Sequence, residues 1–217
     1  MTIFYIILAY LLGSIPFGYL ITRFSTGRNI LEIGWRKTSG SNVFRNVGKW
    51  QGFLTGAGDI LKGSLAVYLG QHSGASPQIQ ALCGAAAVTG HNWSIFLKFA
   101  GGRGIGTFAG AFLVLSPQIL GYSLIPLILL ALVWNASIGT IFFLLATVAF
   151  AACSGRLGTV GLLPLISLLP IFVKRLSPIK ELSLKRKDLI RNRLIFDDDI
   201  ARFDLRIKKI IRGLTKK

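Results

Sequence analysis

Seven apolar runs, at about residues 3–22, 51–70, 79–97, 104–118, 119–134, 137–153 and 158–173, govern what this chain can fold into. Crossing a bilayer core takes roughly 20 apolar residues in helical form. In lipid a spanning segment must also satisfy its own backbone hydrogen bonds. The sequence therefore predicts an all-α, polytopic membrane helix bundle with about seven short transmembrane helices. Several runs are short, so five or six spans result if the chain re-enters near Pro117 or Gly155. The first run, MTIFYIILAYLLGSIPFGYLI, lacks a basic start and exceeds the roughly 7–15 apolar residues of a signal core. It reads as the first span.

Composition supports the same division. The chain is 52% hydrophobic yet carries a formal charge of +17, a combination rare in a soluble domain. Position reconciles the two. Residues 1–173 hold ten Lys and Arg and only two acids, Glu32 and Asp59, whereas residues 174–217 hold fifteen Lys and Arg and six acids. The first part is expected to be a membrane domain and the second a basic cytoplasmic tail. Within the tail, residues 199–214 repeat Ile200, Phe203, Ile207, Ile210, Ile211 and Leu214 at helical spacing among cations. That pattern suits an amphipathic helix on an anionic lipid surface. A disordered topogenic tail is the plainer reading, and no aromatic interleaving points to nucleic acid. Cations concentrate in residues 23–49 and in the tail, while QHSGASPQ has none. The positive-inside rule then puts the N-terminus outside, the C-terminus in the cytoplasm, and 35–46, 98–104 and 134–140 at one face. Cys83 and Cys153 sit in apolar runs without metal-type spacing, and two His residues make no metal site.

Polar constellations interrupt the oil. RKTSGSNVFRNVGKWQG (36–52) puts Ser39, Ser41, Asn42 and Asn46 around Gly40, with Arg45 able to fork onto a phosphate. A solvated loop whose charge only sets topology is the alternative. Asp59 and Lys62 share a helix face at i,i+3, which predicts a structural ion pair; Lys62 is also a candidate phosphate ligand. GHNWSIFLKFAGGRGIGTFAG (90–110) ends one apolar run at His91 and opens the next after Gly101, Gly102, Arg103 and Gly104. Glycine N–H groups at a helix start, beside a cation, suit an anion. His91 is a candidate general base or a hydrogen-bonded structural residue. WNASIGT (134–140) offers Asn135, Ser137 and Thr140 as ligand donors or helix caps. No Ser-His-Asp set, Cys-His set or carboxylate pair assembles from these segments. The site they imply binds phosphate and uses no metal and no protein nucleophile.

In that order these residues resemble the bacterial membrane acyl-phosphate:glycerol-3-phosphate acyltransferases. The family's T-N-V-x-R-x-x-G is echoed by Ser41, Asn42, Val43, Arg45 and Gly48, and its D-x-x-K-G by Asp59, Lys62 and Gly63. Its G-H and F-x-G-G-K-G match Gly90, His91, Phe99, Gly101, Gly102 and Gly104, with Arg103 for Lys. Its S-L-x-S resembles Ser137 and Thr140, and its early G-S-I-P-x-G is Gly13 to Gly18. The resemblance spans roughly residues 10–173. It implies acyl transfer from acyl phosphate to the 1-hydroxyl of glycerol 3-phosphate, giving lysophosphatidate, without cofactor or acyl-CoA, in a multi-pass protein of the cell inner membrane. It also implies catalytic roles for His91, Arg103 and Ser137. Phosphate contacts fall to Ser41, Asn42, Arg45, Lys62, Gly101, Gly102 and Gly104. Departures are Gly34-Trp35-Arg36-Lys37 for G-S-G-N, Trp134 for an Arg, and Arg175 and Pro178 where the family has R-H-x-x-N. A non-catalytic paralogue binding phosphate-headed lipids, or an acyltransferase for another polyol phosphate, is the alternative they raise.

Overall fold

The structure, a computed structural model, describes residues 2–178 and 187–200. Of the expected tail helix at 199–214, all but the first two residues lie outside the described residues. Among the described residues the chain is helical, without strands. Its helices are α1 (Thr2–Ser14), α2 (Phe17–Thr26), α3 (Gly40–Asn46), α4 (Lys49–His72) and α5 (Pro77–Asn92). They continue with α6 (Ile105–Leu115), α7 (Pro117–Val133), α8 (Ala136–Cys153), α9 (Leu162–Arg175) and α10 (Lys187–Phe196).

Every apolar run became helical, and the first, long and apolar enough over residues 2–26 to cross a membrane, is broken into two helices. Pro16 has no N–H to donate, so the ladder of α1 stops and leaves carbonyls without intrahelical partners. Two of them are reclaimed from a distance: Ser94 Oγ donates to the Ser14 carbonyl at 2.6 Å, and Lys62 Nζ to the Ile15 carbonyl at 2.9 Å. The run 79–97 also ends early, at Asn92, and a 3-10 turn at Ile95–Leu97 follows. The loop expected at 36–52 contains the seven-residue α3.

α4 is the axis of the bundle. Its 24 residues make a rod about 36 Å long at 1.5 Å per residue, against which α1, α3, α5 and α6 pack. α4 and α6 cross backbone against backbone at two glycines, and Ser64 Oγ donates across the seam to the Gly110 carbonyl at 2.8 Å. A Cβ on Gly63 would overlap the Thr107 carbonyl oxygen, and one on Gly110 the Ile60 carbonyl oxygen. Small residues at a crossing let backbones touch where lipid supplies no hydrophobic drive for association. Beside this seam lies an aromatic core in which Phe108 meets Phe143 edge-on at 5.6 Å and Phe112 at 5.0 Å.

The outer surface is apolar as well. Ile3, Phe53, Leu61, Leu132, Leu145 and Leu169, from five helices, are each more than half exposed. Apolar area left in water forfeits roughly 25 cal/mol per Å², so a belt of this kind belongs against lipid. Among the described residues, 2–26 and 136–153 are long and apolar enough to cross a membrane, and α6 and α7 are shorter apolar helices.

Candidate functional site

A cavity of about 1430 Å³ opens where the segments 35–45, 103–106 and 134–140 converge. One end is polar, with Ser41, Arg45, Arg103, Ser137, Arg175 and Asp197 in its wall. Along α4 and α6 the wall turns apolar, with Phe53, Ile60, Leu61 and Leu113. His91 and Asp59 line the same cavity.

Asp59 forms the pair expected with Lys62, at 2.9 Å, and also a contact the sequence did not disclose, with His91 Nδ1 at 3.2 Å. An ionised carboxylate only accepts, so His91 donates from Nδ1 and keeps Nε2 free of that proton. Lys62, held between Asp59 and the Ile15 carbonyl, neutralises the aspartate from behind.

The loop between α5 and α6 wraps around this imidazole. Gly102 donates its N–H to the His91 carbonyl at 3.1 Å. A Cβ on Gly101 would overlap the carbonyl oxygens of His91 and Asn92, and one on Gly102 the His91 ring. These two glycines permit close packing on the end of α5, which explains their spacing without an anion. Gly104, in the left-handed region at φ 77°, ends the turn and lines the cavity.

Arg103 follows that turn. Its Nη2 donates to Ser41 Oγ at 2.7 Å and to Ser39 Oγ at 3.3 Å. Its guanidinium faces the Trp35 ring at 5.3 Å, and that of Arg45 faces the same ring at 4.9 Å. Burial pushes the Arg103 guanidinium down to about 10, with Asp198 opposing the shift and Arg45 adding to it. It stays a cation at neutral pH. Lys37, next along the Trp35 loop, is pushed down to about 7 by burial and then by Arg103, Arg193 and Arg175.

The cavity wall takes in Ser41, Arg45, Asp59, His91, Arg103, Gly104 and Ser137 from the sequence-predicted set. Asn42, Lys62, Gly101 and Gly102 stand behind it. Asn42 is consumed by its own loop: Oδ1 accepts from the Trp35 N–H at 3.0 Å, and Nδ2 donates to the Ile33 and Lys37 carbonyls at 3.0 and 2.9 Å. Asn135 caps α8 by accepting from the Ser137 N–H at 2.8 Å.

Sequence reasoning missed five contributors. Trp35 and Lys37 stood out only as departures from a pattern. Arg175, 1% exposed, donates to the Ser137 carbonyl at 3.0 Å and to the Leu194 carbonyl at 2.8 Å, tying α8 to α10. Asp197 and Asp198 bring carboxylates to a cavity expected to have almost none. Asp197 pairs with Arg103 and, at 3.2 Å, with Lys37. Arg175 Nε and Trp134 Nε1 are buried donors without an acceptor among the described residues; both residues line the cavity.

A sequence model of the glycerol-3-phosphate acyltransferase family matches residues 3–184. The chain belongs to this family. It is 43% identical over 129 residues to the glycerol-3-phosphate acyltransferase of Syntrophomonas wolfei, a match covering 59% of this chain and 65% of that relative. The chain thus spans just under two thirds of that acyltransferase's length. Its fold is similar to a crystal structure of PlsY (YgiH), described as an integral membrane glycerol 3-phosphate acyltransferase, in its glycerol 3-phosphate form. There the TM-score is 0.76 at 24% identity, over 97% of this chain and 98% of that one. Against the lysophosphatidic acid form it is 0.70 at 27% identity, over 82% and 90%.

Proposed function

We propose that this chain transfers a fatty acyl group from acyl phosphate to the 1-hydroxyl of glycerol 3-phosphate, releasing lysophosphatidate and inorganic phosphate. The observation that carries the reading is one cavity with two chemistries, a cationic end at Arg45 and Arg103 and an apolar arm at Phe53, Ile60, Leu61 and Leu113. A phosphate ester from water suits the first, and an acyl chain from lipid the second.

Acyl phosphate is already activated, so holding the two substrates in line and stabilising charge can supply most of the acceleration. Ser41, Arg45, Arg103 and Ser137 take phosphate oxygens, and the unused donors Trp134 Nε1 and Arg175 Nε point to further acceptors on the ligand. His91, oriented by Asp59, removes the proton of the acceptor hydroxyl through Nε2. The hydroxyl oxygen then bonds to the acyl carbon, the acyl carbon–phosphate oxygen bond breaks, and the proton leaves with the phosphate. The apolar outer surface and the family's membrane relatives support a multi-pass protein of the bacterial inner membrane. In that placement the N-terminus is outside, and the cationic end of the cavity faces the cytoplasm.

Phosphate release from palmitoyl phosphate by the purified protein, with and without glycerol 3-phosphate, tests the proposal. Release that depends on glycerol 3-phosphate and is lost in His91→Ala is the expected result. No release, beside an active family enzyme, refutes it and favours the paralogue that only binds phosphate-headed lipids.

A further inference from the structure

Lys37 and Arg103 come from different loops, yet both close on one carboxylate. Asp197 places Oδ1 at 3.2 Å from Lys37 Nζ and Oδ2 against the Arg103 guanidinium. The side chains of Asp197, Lys37 and Arg103 are 1%, 8% and 14% exposed, so this is a built, buried site rather than a surface ion pair. A carboxylate spanning an ammonium and a guanidinium copies two of the oxygens that a phosphate monoester would present, and the phosphate brings more charge and a third oxygen. Arg45 adds a further cation by sharing the Trp35 ring with Arg103, and Asp198 stands beside Asp197 in the cavity wall as a second carboxylate.

The origin of Asp197 adds to the argument. The family match ends at residue 184, and Asp197 follows the last turn of α10, beyond it. That turn is held by Arg175, which donates to the Leu194 carbonyl at 2.8 Å. Arg193 adds to the hold, donating to the Leu176 and Pro178 carbonyls at 3.2 and 3.1 Å. Asp197 sits at the end of this clamped element, in the left-handed region at φ 53°. The tail thus delivers an anion between Arg103, in the wall of the large cavity, and Lys37, in the wall of a smaller pocket of about 300 Å³, and Asp197 lines both.

We propose that Lys37 and Arg103 form a phosphate-monoester subsite at the edge of the cavity, where Asp197 separates it from a smaller pocket lined by Lys37, that the Asp197 carboxylate is its internal occupant, and that ligand phosphate and the end of α10 exclude each other there. The inference rests on reading the cavity as a phosphate-ester site. Two anions cannot both occupy the space between one lysine and one arginine, so an arriving phosphate displaces the carboxylate and undocks the end of α10. Lys37 then becomes a substrate-contacting residue specific to this chain's own loop.

The test uses the full chain in detergent micelles. Isothermal titration with glycerol 3-phosphate is expected to give binding on the order of tenfold tighter in Asp197→Asn than in the unaltered protein, because the ligand no longer displaces a charge-assisted contact. Adding Lys37→Gln to Asp197→Asn is expected to erase the gain. Unchanged or weaker binding in Asp197→Asn overturns the proposal and makes Asp197 a support for Arg103. Hydrogen exchange on the unaltered protein needs no variant to fold. Amides of 187–197 should lose protection on adding glycerol 3-phosphate if the acceptor's phosphate takes the subsite, or on adding palmitoyl phosphate if the donor's does. Unchanged or increased protection with both ligands overturns the proposal. Neither measurement requires acyl transfer, so a protein that binds but does not transfer refutes the enzymatic reading and leaves the subsite standing.

Discussion

Asp59→Leu should be among the most damaging single changes in the membrane part of this protein, and the reason can be worked through. The carboxylate sits 2.9 Å from Lys62 Nζ, and the Lys62 side chain is 3% exposed. Without Asp59, that ammonium retains one acceptor, the Ile15 carbonyl at 2.9 Å. Removing one partner of a buried ion pair costs about 3–5 kcal/mol, because the other charge is left uncompensated. For a chain of this size each kcal/mol moves the unfolding midpoint by about 2–4 °C, so Tm should fall by about 6–20 °C. Intrinsic tryptophan fluorescence during heating in micelles at pH 7 reads it. In Asp59→Leu/Lys62→Met both charges go together, and replacing a buried pair by apolar residues is often neutral. The double variant should therefore recover most of the loss, a coupling visible only through the full mutant cycle. Activity should not recover with it, since His91 still lacks the oxygen at 3.2 Å that orients its ring. If Asp59→Leu melts within about 3 °C of the unaltered protein, or the double loses the sum of the two singles, the buried-pair argument is wrong.

The remaining predictions are smaller. Gly110→Ala puts a Cβ into the Ile60 carbonyl and should cost about 1–3 kcal/mol of stability by overpacking, whereas Gly121→Ala meets open space within α7 and should be neutral or slightly stabilising; paired Tm measurements check both. Trp35→Leu removes the ring shared by Arg45 and Arg103, about 1–2 kcal/mol for two cation–π contacts, so KM for glycerol 3-phosphate should rise about five- to thirtyfold with kcat little changed. Trp35→Phe should restore most of it, and steady-state kinetics of the three proteins decide. Lys37 titrates at about 7 in the folded chain, against its ordinary 10.5, because of burial and then its arginine neighbours. Between those values the unfolded chain binds the extra proton, so stability should climb as pH rises from 7 toward 10 and level off below 7. Unfolding midpoints across that range should show the climb, and Lys37→Met should flatten it.

How much of this was legible beforehand follows from the range of each interaction. Hydropathy is a local property, and each of the seven apolar runs is helical over most of its length, the first divided at Pro16 and the third stopping at Asn92. The break at Pro16 is equally local, being the absence of one N–H, but the reading of 3–22 as one helix passed over it. The pairing of Asp59 with Lys62 needed only the i,i+3 geometry of a helix. The motifs that meet in the cavity were likewise readable as residue types in order, and so was the family they resemble.

Other features depend on which surfaces meet in three dimensions. Nothing in the order of residues said that Asn42 would spend its amide on the Trp35 loop, or that Gly101 and Gly102 would serve packing around His91. The Asp59–His91 contact joins α4 to α5, and Asp197 reaches Arg103 and Lys37 from beyond the family-matched segment. A sequence by itself determines which segments prefer lipid and helix, because burial of apolar groups and backbone hydrogen bonding act residue by residue. Which donor faces which acceptor across the bundle was decided only when α4, with its backbone-tight glycine seam, drew the other helices to fixed distances. Hydrogen bonds and ion pairs form over about 3 Å, and only tertiary packing sets positions that finely.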